Sequence, residues 1–204
     1  MTRHLGAYLA LLFVLTACSS TGPVPEDRFY QLQTHLTADP VQREAIFKGG
    51  LRVEPVIADP LRSGRAVLYR DVRKPLELRR YHYEFWVDQP PRMIHQALLY
   101  YLRSSGIADN IQDDTRHADT GYRLRTRLLR FERVVGEGMP GVELELEASL
   151  YSERNGALIW TGVYLRQQAS DGKDMHATTR AMQQALEAIL ESLRTDLLAI
   201  QLKS

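Results

Sequence analysis

One nine-residue stretch, Val142 to Leu150, limits the fold of this chain more than any other. Val142, Leu144, Leu146, Ala148 and Leu150 alternate without error with Glu143, Glu145, Glu147 and Ser149. A period of two puts the apolar side chains on one face of an extended strand and the carboxylates on the other, a pattern that a helix scatters around its axis. The neighbouring segments follow the same rule. Tyr122 to Val135 sets Tyr122, Leu124 and Leu128 against Arg123, Arg125 and Arg127, and its phase slips at Leu128-Leu129, which predicts a β-bulge before Phe131. Asn155-Gly156 makes a tight turn into Ala157 to Gln167, completing a meander. In such a hairpin the arginine and glutamate rows lie side by side and neutralise each other. Each exposed pair contributes only about 0–1 kcal/mol, so the rows act on register and solubility more than on stability.

A sheet with one apolar face needs a cover. Phe29 to Gln33, Leu51 to Ala58, Ala66 to Tyr69 and Glu77 to Trp86 read as further strands. In the second of these, Leu51, Val53, Pro55 and Ile57 share a face, and Pro55 requires an edge position or a bulge. Asp88-Gln89-Pro90-Pro91 opens a helix with Asp88 as cap. Ile94, Ala97, Leu98, Tyr101 and Leu102 carry it on to a stop at Gly106. Ala108 to Thr120 is polar and reads as a loop. Asp174 to Leu202 is a long helix whose stripe is Met182, Leu186, Ile189, Leu193, Leu197 and Ile200, with Glu191 on the opposite, solvated side. The expected fold is α+β: a mainly antiparallel β-sheet covered on one face by two helices, including the long C-terminal one. The 204 residues suit a single domain that buries roughly 70% of its unfolded surface.

The N-terminus reads differently. Arg3 and His4 precede an apolar run, Leu5 to Ala17, whose thirteen residues span about 20 Å as a helix, short of the ~30 Å hydrocarbon core of a membrane. A positive start, a short apolar core and small residues at its end describe a secretory signal, residues 1–17. Leu15-Thr16-Ala17-Cys18 resembles the bacterial lipobox, in which the cysteine thiol takes a diacylglycerol thioether. Cys18 is the one cysteine of the chain, so no intrachain disulfide or cysteine-based zinc cluster can form. Each buried lipid CH₂ contributes about 0.8 kcal/mol, so the three acyl chains that the resemblance implies make a stable anchor. Residues 18–27 continue as a small, polar, proline-containing tether, and residues 28–204 form the periplasmic domain. By analogy with lipoprotein sorting, Ser19 after the cysteine favours the outer membrane.

Patterns for catalysis are missing. Gly136-Glu137-Gly138-Met139-Pro140-Gly141 fits G-x-G-x-x-G, but a strand follows where a phosphate-binding helix is required, so it reads as a turn. His4, His35, His82, His95, His117 and His176 form no H-E-x-x-H or H-x-x-x-H motif, and His95 reads as a core-edge or surface residue. Asp109, Asp113, Asp114, His117 and Asp119 lack the glycine and terminal glutamate of a calcium loop and read as solvated. No G-x-S-x-G is present. The chain reads as no enzyme, with no cofactor and no metal. Formal net charge is +1, and zero without Arg3, which gives no reason to expect nucleic acid. One local excess stands out: Arg70, Arg73, Lys74, Arg79 and Arg80, with Asp71 and Glu77 as the nearby acids. Solvated strands and a turn are the bland reading of it; a docking patch for a partner or a lipid headgroup is the sharper one.

The order of the motifs carries a resemblance. Cys18, Phe29-Tyr30-Gln31-Leu32, Leu51-Arg52-Val53-Glu54-Pro55-Val56, and Tyr81 to Trp86 running into Pro91-Arg92-Met93-Ile94 come first. Tyr122 to Phe131, the Trp160 strand and Asp171-Gly172 before the last helix follow. Together they resemble the ABC-type transport auxiliary lipoproteins of the PqiC type. The resemblance departs at Asp59 to Gly64, where proline is placed differently. It implies a small α/β fold without a catalytic site. It further implies work beside an ABC ATPase, a permease and an MCE-domain protein that move lipids between inner and outer membranes. An outer-membrane assembly or secretion accessory is the alternative, and a lipid-anchored periplasmic hydrolase a third. A homo-oligomer is left open, and the cargo cannot be read from one sequence.

Overall fold

The computed structural model describes residues 25–40, 44–113, 120–136, 138 and 141–200. The signal segment, Cys18, Asp114, His117 and Asp119 lie outside the described residues. The strands are β1 (Arg28–Tyr30), β2 (Leu51–Val53), β3 (Ile57–Ala58), β4 (Ala66–Asp71), β5 (Leu78–Trp86), β6 (Ile111–Asp113), β7 (Tyr122–Val135), β8 (Gly141–Ser152) and β9 (Leu158–Ala169). The helices are α1 (Pro90–Ser105) and α2 (Met175–Ala199).

The spine of the single sheet is β7. On one side it pairs antiparallel with β8, which pairs antiparallel with β9, so the meander stands as expected. The register breaks between Leu128 and Arg130, at the bulge the phase slip predicted. Val142, Leu144, Leu146, Ala148 and Leu150 are all buried. On the other side β2, β3 and β4 line up end to end along β7, all parallel to it. β6 runs parallel to β2, β5 antiparallel to β4, and β1 parallel to β5. The sheet is therefore mixed, not mainly antiparallel. Parallel neighbours need long connections, and the one from β4 to its parallel neighbour β7 runs through β5, α1 and β6.

Other local expectations are corrected too. The Leu51–Ala58 strand breaks in two at Pro55, so Val56 turns inward and Ile57 faces solvent, and β2 lies between β6 and β7 instead of at an edge. The polar loop after α1 contains β6, anchored by buried Ile111. Gln89, not Asp88, is the N-cap of α1, and no side chain caps it. Pro90 and Pro91 have no N–H to be capped, and Asp88 Oδ1 instead accepts from the Gln89 N–H at 2.7 Å. Gly106, at φ 67°, ends the helix in the left-handed conformation.

α2 lies on β8 and β9 and touches α1, which also packs on β6. Asp174 caps α2 by accepting from the Ala177 N–H at 2.7 Å. Met182, Leu186, Ile189, Leu193 and Leu197 are buried as one stripe in a core shared with Trp86, Phe131 and Leu144. Tyr164 donates to Asp196 at 2.7 Å and Arg166 to Ser192 at 2.6 Å, tying β9 to the helix. Glu191, expected on a purely solvated side, accepts from the Tyr101 hydroxyl of α1 and from Arg194 at 3.1 Å.

Candidate docking surface

Alternation dictates how the polar face of the sheet pairs its charges. Arg130 meets Glu143 and Glu145, each at 2.8 Å, and Arg127 lies 3.8 Å from Glu147. Arg123 and Arg125 instead converge on Glu54, at 2.9 and 2.8 Å, because the chain after β2 stays beside β7, where the Glu54 N–H bonds the Leu124 carbonyl at 2.9 Å. Burial pushes the pKa of Glu54 up, but the guanidiniums of Arg125 and Arg123 outweigh it and leave the carboxyl below the usual glutamate value. Glu143 behaves in the same way, with burial outweighed by Arg130 and Gln167. These arginines are committed to acidic neighbours, so the row is not a bare surface for phosphates.

The basic group around the β4–β5 hairpin is built differently. At its root lies Glu132 of β7, whose side chain is 0% exposed. Arg70 reaches it at 2.5 Å and Arg62, from the Asp59–Gly64 loop, at 3.1 Å, while the Phe131 N–H donates to it at 3.0 Å. Arg62 also holds Asp59 at 2.7 Å, so one buried carboxylate pins two segments to the sheet. Arg70 further donates to the Pro75 carbonyl and shapes the hairpin from inside. It is thus separated from the other four predicted cations.

Of those four, Arg73 and Lys74 lie in the turn, and Arg79 and Arg80 follow on β5 with their side chains on opposite faces. Asp71 accepts from the Arg73 N–H at 2.9 Å and from its guanidinium at 2.7 Å, and this charged donor holds the Asp71 carboxyl down at about 2. Glu77 takes Arg79 at 2.7 Å and lies 3.7 Å from Lys74. The Arg79 hydrogen bond keeps Glu77 below its ordinary value and, in return, raises the pKa of Arg79. Arg80 is exposed and has no ion-pair partner among the described residues. Two apolar side chains share the turn: Leu76 is 100% exposed and Val72 47%. Sequence reasoning found the cations but missed both Leu76 and the Glu132 root. The available signal was a lone leucine inside Arg73-Lys74-Pro75-Leu76-Glu77.

The histidines are spread over the fold. His35 and His176 pack edge-on to Tyr100 and Tyr30, while His82 is exposed on β5. His95 Nε2 lies 3.2 Å from Asp113 Oδ1, a pairing that spans α1 and β6. No serine hydroxyl hydrogen-bonds that ring among the described residues. Among the described residues no three His, Cys, Asp or Glu side chains are grouped to hold a metal, and no helix is long and apolar enough to cross a membrane.

No curated protein matches the chain. Among solved structures, protein XCC0632 of Xanthomonas campestris, from domain family DUF330, superposes with a TM-score of 0.70 at 21% identity, covering 81% of this chain and 92% of its own. An uncharacterised protein superposes at 0.64 with 12% identity, covering 85% of this chain and 99% of its own. The hypothetical protein CT253 of Chlamydia trachomatis superposes at 0.53 with 11% identity, covering 74% and 99%. At these identities the likeness is one of fold. The model of a family described as the ABC-type transport auxiliary lipoprotein component matches residues 30–193, nearly all of the described domain. That family is an auxiliary component of transport and not a family of enzymes, and this chain belongs to it.

Proposed function

We propose that this chain is the lipid-anchored periplasmic auxiliary component of an ABC/MCE-type system that moves lipids between the inner and outer membranes and so supports envelope integrity. One observation carries the reading. A family match over residues 30–193 falls on a chain whose single cysteine, Cys18, closes a lipobox-like Leu15-Thr16-Ala17 sequence. In this reading residues 1–17 leave as a signal, Cys18 is acylated at the periplasmic face of the outer membrane, 18–27 form the tether, and 28–204 the working domain. The role is mechanical: the domain holds the outer end of a lipid-conducting assembly. Its direct partner is the MCE-domain protein, and the permease and ATPase are engaged through it. Arg73, Lys74, Arg79 and Arg80 form a basic docking surface, while Arg70 serves the fold.

Crosslinking in cells followed by purification of the anchored chain tests the partner. Capture of the MCE-domain protein with its permease and ATPase is expected, and capture of no transporter component overturns the proposal. Cys18→Ala is expected to block acylation and leave an unprocessed precursor. A mature, acylated Cys18→Ala protein in the outer membrane overturns the anchor.

A further inference from the structure

We propose that the β4–β5 hairpin is a second membrane contact, one that seats Leu76 in an anionic lipid surface beside the acyl chains of Cys18. The inference rests on the reading of Cys18 as the acylated residue and deepens it by assigning which end of the domain meets the bilayer.

The hairpin has the chemistry for this. A leucine 100% exposed at a turn, with Val72 beside it, offers apolar surface that the fold itself leaves uncovered. Around it stand Arg73, Lys74, Arg79 and Arg80, against the carboxylates of Asp71 and Glu77, so the turn stays net positive. An apolar tip with cations in the turn and on the strand behind it suits a headgroup layer, where the cations meet anionic lipid and the tip reaches the acyl boundary. The root is stiff: the Val72 N–H bonds the Val135 carbonyl at 2.9 Å, and Arg70 is locked on Glu132. The tip is therefore presented at a fixed place.

The strand directions supply an independent argument. β1 is parallel to β5, with Phe29 level with Phe85, and Phe85 level with Ala66 of β4. The chain before β1 therefore comes from the end of the sheet where the β4–β5 hairpin lies. From Ala66 to Asp71 β4 advances about 17 Å toward that end. Ten residues lie between Cys18 and Phe29, and the eleven steps reach at most about 36–40 Å when extended, enough to pass the hairpin tip. The β7–β8 connection is at this same end, since Asp71 is level with Val135, whereas the β8–β9 turn and Leu158 lie at the other. A tether that leaves toward the hairpin brings the acyl chains and Leu76 to one surface.

The test uses the mature acylated protein bound to liposomes containing phosphatidylglycerol. Cys18 is the only cysteine and its thiol is consumed by the lipid, so Leu76→Cys adds a single labelling site for an environment-sensitive fluorophore. Leu158→Cys, 55% exposed in the parent and at the opposite end, is the control. The expected result is a blue-shifted probe at position 76 that brominated acyl chains quench, with a water-exposed probe at 158. Reversing Arg79 and Arg80 to glutamate should lower the inserted fraction at least about tenfold, as expected for losing two cations at an anionic surface. A position-76 probe as aqueous as that at 158, on protein that floats with the liposomes, overturns the hairpin contact alone. So does a probe that shifts only when a transporter protein is added. Failure of the purified protein to float with zwitterionic liposomes, which offer nothing but acyl insertion, overturns the anchor and the hairpin contact that rests on it.

Discussion

Glu132 of β7 lies against the root of the β4–β5 hairpin and Glu77 lies at its tip; both bind arginine, yet they do opposite work. Glu132 has no exposed side-chain surface and serves Arg62, Arg70 and the Phe131 N–H together. Glu77 stands at the surface and shares Arg79 and Lys74 with water. A charge pair is strong where water cannot replace either partner, and weak where it can. The root pairs thus belong to the fold and the tip pairs to whatever the hairpin meets. Counting arginines along the sequence merges the two groups; burial separates them.

The sharpest way to break this comparison is Glu132→Ala. Removing the shared buried carboxylate leaves Arg70 without its carboxylate partner and Arg62 with Asp59 alone, and costs about 3–5 kcal/mol. In a domain of this size that is a fall in Tm of roughly 6–20 °C in thermal unfolding, at about 2–4 °C per kcal/mol. A Tm within 2 °C or so of the parent would show that the root does not hold the hairpin.

Glu54 is the intermediate case, partly covered and shared by Arg123 and Arg125. Burial raises its folded pKa, but the guanidiniums of Arg125 and Arg123 hold it below the ordinary glutamate value. Its contribution is therefore complete above the unfolded value and lost as pH falls through the lower, folded one. Glu54→Gln should cost about 1 kcal/mol at pH 7 in urea unfolding, and the gap from the parent should close toward pH 3. A gap of the same size at both pH values would mean that shape, not charge, is what Glu54 supplies.

The same distinction between local pattern and covering explains what could be read from the sequence. β7, β8, β9 and α2 were legible because each carries its period over ten or more residues, and the bulge showed as a slip of that period. The parallel placement of β2, β3 and β4 along β7 was not, because a period of two states which face is buried and nothing about the neighbour or its direction. β6 has three residues, only one of them buried, too few for any period. Pro55 hid the inversion that buries Val56 and exposes Ile57, since proline interrupts the alternation at that point. At the docking surface the cations were visible as composition. Glu132 was hidden because its burial comes from Arg62 and Arg70, which are far from it in sequence.

The smallest expected effect on stability is also the most discriminating. Glu77→Gln removes a carboxylate from the tip while keeping its size, and the charge contacts it loses, the hydrogen bond from Arg79 and the 3.7 Å ion pair with Lys74, are replaced by water. Tm should not move measurably at physiological salt, where the Debye length is about 8 Å. Binding should move. With Glu77 neutral, Arg79 and Lys74 lose their counter-charge, and each uncompensated cation near an anionic surface favours attachment by about fivefold. Glu77→Gln should therefore raise the inserted fraction on phosphatidylglycerol liposomes several-fold, and the gain should shrink as salt is raised and vanish on zwitterionic lipid. A large fall in Tm would make the tip a structural element like the root. An unchanged Tm with unchanged binding would leave the hairpin charges without a role at the membrane.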